Sequence, residues 1–162
     1  MEIRVRATGA VMLEDEFRAY QRAINGPSWG TTTDEVLEAL GADVVFEGPQ
    51  ATGGTVYQFS MRQGVEQIGG KWHTKYVLGP IFTDNEDATA AEQEAAYKAQ
   101  KDAEQAKSVR DDRNKRLTET DWTQVADAPV DKAVWATYRQ ALRDVPSQTD
   151  FPWGVQWPTQ PE

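Results

Sequence analysis

The stretch Asp84–Thr118, DNEDATAAEQEAAYKAQKDAEQAKSVRDDRNKRLT, contains neither glycine nor proline. Ala, Glu, Gln, Lys, Asp and Arg dominate it, and most of these enter a helix at little cost, so the spacing predicts one long helix over residues 86–118. Its apolar material is a thin seam of Ala88, Ala91, Ala95, Ala99 and Ala106 with Tyr97, Val109 and Leu117, spaced mostly by threes and fours. Such a seam buries little area. The helix therefore either bridges two packed units as a solvated rod held by i,i+4 ion pairs, or lies against copies of itself or a partner. In both cases it divides the chain into residues 1–82 and 83–162.

Upstream of the helix, the pattern is that of a small β-rich domain. Ile3, Val5 and Ala7 alternate with Arg4 and Arg6, the period of a half-buried strand. Leu13, Phe17, Tyr20 and Ile24 share one face of a short helix closed by Asn25-Gly26-Pro27. A second helix starts near Thr33 with Asp34 and Glu35 at its positive end, stops at Gly41, and hands over to a strand from Asp43 to Phe46. Three more strands are expected at Thr55–Arg62, Val65–Ile68 and Lys71–Leu78, separated by turns at Gly53-Gly54, Gly64 and Gly69-Gly70. In the last strand Trp72, Thr74 and Tyr76 share one face and His73, Lys75 and Val77 the other, so one face is expected to pack and the other to be wet.

Downstream, four of the six tryptophans (Trp122, Trp135, Trp153, Trp157) and five of the eight prolines follow residue 120. A helix over residues 131–144 places Val134, Trp135, Tyr138, Ala141 and Leu142 on one face, with Pro146 as its stop. Two readings apply to its aromatics. Trp122, Trp135, Tyr138 and Leu142 form the core of a helical hairpin with Asp121 capping a helix or pairing with Arg139, or they face a partner. Residues 147–162 read as an extended tail with Phe151-Pro152 and Trp157-Pro158, whose Trp153 and Trp157 have no helix to share, so these two dock on a partner or a neighbouring copy, or pack at home. The architecture expected is α+β: a small β-rich N-terminal domain, a connecting helix, and a small helical C-terminal domain with a Pro/Trp tail.

Composition excludes several functions. The 162 residues carry 17 Lys and Arg against 26 Asp and Glu, a formal charge of −9. Such a surface repels nucleic acid unless its bases are gathered on one face, and they are scattered along the sequence. There is no cysteine, hence no disulfide frame and no thiolate chemistry. Met1–Arg6 alternate charged and apolar residues, and no apolar run approaches the roughly 20 residues of a spanning helix, so neither a secreted precursor nor a membrane protein is expected. The single histidine, His73, has no motif placing a nucleophile or an orienting carboxylate beside it and reads as a surface strand residue. Paired acids such as Asp111-Asp112 lie in charged helical contexts, and no metal-ligand or phosphate-loop spacing occurs. The expectation is no enzyme, no cofactor and no metal.

Arg113, Leu117, Thr120-Asp121-Trp122-Thr123, Asp127-Ala128-Pro129, the run Trp135-Ala136-Thr137-Tyr138-Arg139-Gln140-Ala141-Leu142-Arg143-Asp144, and the closing Phe151-Pro152 and Trp157-Pro158 stand in a fixed order. Over about residues 110–161 this pattern resembles the C-terminal signature of bacteriophage tail-fibre assembly chaperones. The N-terminal unit is only loosely similar, in Thr33 to Phe46 and around Lys71-Trp72.

The resemblance implies a non-enzymatic protein that binds the distal part of a trimeric tail fibre and promotes its folding and trimerisation. It implies action in the host cytoplasm during assembly; three copies around one fibre, a homotrimer within a 3:3 complex, are expected because closed threefold symmetry gives each copy an equivalent surface, and neither nucleic acid nor membrane is expected as a partner. A virion-retained fibre-tip or receptor-binding protein is the alternative. The residues expected at the partner or copy-to-copy interface are Trp122, Trp135, Tyr138, Arg139, Leu142, Arg143, Phe151, Trp153 and Trp157, with residues 1–82 touching the fibre.

Overall fold

The computed structural model describes residues 1–162. Its elements are β1 (Glu2–Val5), β2 (Val11–Leu13), α1 (Glu14–Ala23), α2 (Asp34–Ala39), β3 (Ala42–Phe46), β4 (Phe59–Ile68), β5 (Lys71–Gly79), α3 (Ala90–Glu119) and α4 (Lys132–Asp144), with short 3-10 turns at Asp121–Gln124 and Val145–Ser147. This is the α+β architecture expected from the sequence. Two compact units divide the chain, Met1–Ile81 and Phe82–Glu162.

The first unit is a five-stranded sheet in the order β2-β1-β3-β5-β4. Strand β1 pairs antiparallel with β2 and β3, β3 runs parallel to β5, and β4 closes the edge antiparallel to β5. Register puts Ile3 opposite Val44 and Val5 opposite Ala42, so one face of β1–β3 is apolar. Phe17 of α1 and Leu37 of α2 cover that face and complete a core with Ile3, Val5 and Ala42. Arg18 fixes the loop beyond α1 by donating to the carbonyls of Trp29 and Gly30 at 2.9 and 2.7 Å. The Thr32 hydroxyl and the Arg18 guanidinium together hold the Glu14 carboxyl below the usual carboxylate range.

Several boundaries differ from expectation, each for a local reason. Strand β2 goes undetected in the sequence because it is only three residues long; it pairs through a tight turn in which Gly9 has φ +73°. It takes Leu13 out of the predicted helical face, and both Leu13 and Ile24 are exposed, leaving Phe17 and Gln21 as the buried residues of α1. The two strands expected around Gly64 are one. Gly64, at φ +79°, lies within an irregularity between Arg62 and Val65 and bends β4 without ending it. Neither face of β5 is simply wet: most of its residues are half-buried, and Thr74 is fully enclosed.

The second unit begins with α3, whose 30 residues span about 45 Å. It starts four residues later than predicted because the Asn85 side chain accepts hydrogen bonds from the backbone N–H groups of Asp87 and Ala88, giving that segment a non-helical partner. Thr89 then caps the helix in a reciprocal box with Glu92. Ion pairs at i,i+4 link Glu94 to Lys98, Lys107 to Asp111 and Asp112 to Arg116. The alanine seam is covered only in its second half: Ala91, Ala95 and Ala99 are exposed, whereas Ala106 and Val109 are buried.

Candidate partner-binding site

Helix α4 starts cleanly because the Asp131 carboxylate accepts the N–H groups of Ala133 and Val134 at 3.0 and 3.2 Å. From that start, the 3.6-residue period turns Trp135, Tyr138, Arg139 and Leu142 inward and leaves Val134 exposed, which corrects the predicted face by removing Val134 from it. Trp135, Tyr138 and Leu142 form the core of the unit, with Leu117, Val130 and Trp157 packed around them. The Trp135 and Tyr138 rings meet edge to face at 5.8 Å.

Arg139 joins this core to the end of α3. Its Nη1 donates to the Leu117 carbonyl at 2.6 Å and to Thr120 Oγ1 at 2.7 Å, and its Nη2 to Asp121 Oδ1 at 2.6 Å. The pairing of Asp121 with Arg139 read from the sequence is thus present. A helix C-terminus leaves its last carbonyls without intrahelical partners. Here a buried guanidinium and the Thr120 hydroxyl, which donates to the Arg116 carbonyl at 2.9 Å, satisfy them. Thr123, fully buried, donates to the Thr120 carbonyl at 2.7 Å and closes the 3-10 turn.

The turn so fixed displays Trp122. Its ring rests 6.0 Å from that of Trp135, yet 51% of the residue is exposed. Val125 beside it is also exposed. From Thr118 to Asp131 the chain carries Glu119, Asp121, Asp127 and Asp131 and no Lys or Arg, but Arg139 pairs with Asp121 and Lys132 Nζ donates to the Ala126 carbonyl at 2.7 Å.

The tail packs at home. Gln148 brackets it with two hydrogen bonds to the backbone of Gln156, both 2.8 Å. Trp153 Nε1 donates to Asp102 Oδ1 at 2.6 Å, the Arg110 guanidinium lies 5.2 Å from the Phe151 ring, and that of Arg116 lies 4.4 Å from the Trp157 ring. The expectation that no regular element holds Trp153 and Trp157 is therefore corrected: α3 holds both, and Phe151 with them. No periodicity in residues 147–162 signals this, because the docking uses two cation–ring contacts and an indole–carboxylate hydrogen bond spread along a helix far earlier in the sequence.

Of the nine residues expected at an interface, Trp135, Tyr138, Arg139 and Leu142 are buried inside their own unit, Phe151 and Trp157 are half-buried, and Trp122, Arg143 and Trp153 reach the surface. Elsewhere, His73 has its Nδ1 3.0 Å from the Lys71 carbonyl and its ring 5.6 Å from Phe46, with Glu66 as its cross-strand neighbour. No three His, Asp or Glu side chains are grouped to hold a metal ion, and no helix is long and apolar enough to cross a membrane.

Residues 106–162 match the family of phage tail assembly chaperone proteins. The matched segment begins at the first buried residue of α3 and takes in the Trp122 turn, α4 and the docked tail, so it contains the aromatic cluster of the second unit. No curated protein and no solved structure matches the chain. The match supports a tail assembly chaperone role and points to a non-enzymatic one.

The Arg139 contacts have a measurable value. Arg139→Met keeps the aliphatic stem but removes every donor, and a denaturant titration of the second unit should show a loss of about 1.5–3 kcal/mol, the range for hydrogen bonds made by a charged group. Asp121→Asn should cost less than about 1 kcal/mol, because that carboxylate is largely exposed and screened. Equal losses from the two variants would show that the ion pair, and not the capping of α3, carries the effect.

Proposed function

We propose that this protein is a phage tail-fibre assembly chaperone that binds the distal part of a trimeric fibre in the host cytoplasm and promotes its folding and trimerisation. The match of residues 106–162 to the tail assembly chaperone family carries the reading. Intertwined trimeric fibres have high contact order and expose strand edges before their three chains meet, so a helper that covers those edges prevents aggregation. The rigidly mounted, exposed Trp122 has the character of an interface anchor, a large aromatic backed by a packed core. Three copies act on one fibre trimer. Each weak contact then gains effective concentration from the shared scaffold, and closed threefold symmetry gives each copy an equivalent surface.

Co-expression with the neighbouring tail-fibre polypeptide tests this. The fibre alone should be insoluble or misassembled, and with the protein it should appear as soluble trimers in a complex whose mass gives three copies per trimer. Equal yields of native trimer with and without the protein would overturn the chaperone role; one copy per trimer would overturn the stoichiometry.

A further inference from the structure

We propose that the outer edge of β4, flanked by Phe59, Met61 and Ile68, receives an extended, amphipathic, acid-bearing strand of the assembling fibre; this rests on the chaperone reading and names its docking site in the first unit. Strand β4 is the last of the sheet and ten residues long, and its outward backbone N–H and C=O groups form two runs, Phe59–Arg62 and Val65–Ile68, of about 13 Å each. The opposite edge, β2, has only three residues. Backbone groups in that array recognise one thing, another extended chain, whatever its sequence.

Side chains then set the chemistry. Phe46 pairs with His73, and β4 pairs Met61 with Val77, Glu66 with His73 and Ile68 with Lys71. Phe59, Met61 and Ile68 therefore lie on the same side of the sheet as Ala42, Val44 and Phe46. Helices α1 and α2 cover that side over β1 and most of β3 but not over the end of β3 or the β4–β5 hairpin: Phe46, Phe59 and Ile68 are 42%, 55% and 41% exposed. On the other side Ser60 Oγ accepts the Ala51 N–H at 3.0 Å, and Arg62 pairs with Glu2 at 2.6 Å. An incoming strand thus meets Phe59, Met61 and Ile68 with Glu66 on one side, and Ser60, Arg62 and Gln67 with Val65 on the other, which favours alternate apolar residues within each run on either side of the Arg62–Val65 irregularity.

Charge separates a fibre strand from a second copy. With Arg62 spent on Glu2, the open side of the hairpin carries Lys71 and Lys75 against Glu66, a net of +1 in a chain of −9. Two copies meeting edge to edge bring these lysines together within bodies of −9 each, whereas an acidic strand places its carboxylates beside Lys71 and Lys75. The irregularity at Arg62–Val65 also breaks the edge into two short runs, which opposes open-ended stacking of copies while leaving each run able to pair.

Hydrogen exchange on the full chain, free and in its co-expressed complex with the fibre polypeptide, tests this together with the Phe59→Asp/Ile68→Asp double variant. Backbone amides within Phe59–Ile68 should exchange at least tenfold more slowly in the complex. The double variant should lower the yield of soluble fibre trimer at least tenfold, with unchanged exchange in β1 and β3 showing that its sheet is intact. A complex that forms without slowed exchange in β4, or a double variant with wild-type yield, overturns the docking site and leaves the chaperone role standing. Slowed β4 exchange in a dimer of the free protein overturns it in favour of a second copy. A fibre that trimerises equally well without the protein overturns the chaperone role, and the docking site with it.

Discussion

Trp135→Ala should destabilise the second unit by about 3–5 kcal/mol and Leu142→Ala by about 2–5 kcal/mol, the ranges for emptying a packed core site. Both side chains lie on the inner face of α4: Leu142 is fully enclosed, and Trp135 is 4% exposed between the rings of Trp122 and Tyr138. The unit spans only residues 82–162, and the buried side chains of its aromatic cluster are Trp135, Tyr138 and Leu142. Few neighbours are available to collapse into the space left behind, so the cavity contribution is not relieved. Domain stabilities are commonly about 5–15 kcal/mol, and either change removes a large share of that. Val134→Ala, one residue from Trp135 but facing outward, should cost less than about 0.5 kcal/mol. Denaturant titrations followed by aromatic circular dichroism separate these cases. If Trp135→Ala melted like the parent protein, the α4 face would be free to serve as an interface, contrary to its burial.

What was legible in the sequence follows from how local each signal is. Helix α3 was visible because 35 consecutive residues, Asp84–Thr118, lack any breaker, a property no tertiary contact can counterfeit. Its start was misread because side-chain capping by Asn85 and Thr89 overrides composition within a single turn. The inward set of α4 was mostly legible from its period, and so was the partnership of Asp121 with Arg139. That Arg139 also satisfies the Leu117 carbonyl was not, since every helix end presents the same orphan carbonyls and the sequence does not say which cation meets them. The bare half of the sheet was invisible for another reason. Strand β5 alternates Trp72, Thr74 and Tyr76 with His73, Lys75 and Val77, so neither set announces which face the helices cover, and only the strand order places α1 and α2 over β1–β3.

Deleting residues 149–162 should lower the stability of the free protein's second unit by about 2–3 kcal/mol. Burying a large aromatic fully contributes about 1.5–3 kcal/mol, and Phe151 and Trp157 are each only partly covered, so together they supply about the amount of one complete burial. Trp157 also packs on the Trp135–Tyr138–Leu142 cluster, which its removal opens to water. For a unit of this size the loss corresponds to a fall of roughly 10–20 °C in the melting temperature of its transition. The measurement separates two uses of the tail that the sequence alone leaves open. If Trp153 and Trp157 serve mainly to reach a neighbouring chain, truncation leaves the free protein's melt unchanged and weakens only the complex with the fibre. If α3 holds them, the loss appears with no partner present, as the contacts with Asp102, Arg110 and Arg116 require. Trp157→Ala should reproduce about half of the truncation effect. Trp122→Ala removes a side chain half in solvent that also packs on Trp135, so it should cost the free protein only about 1 kcal/mol while reducing binding to the fibre.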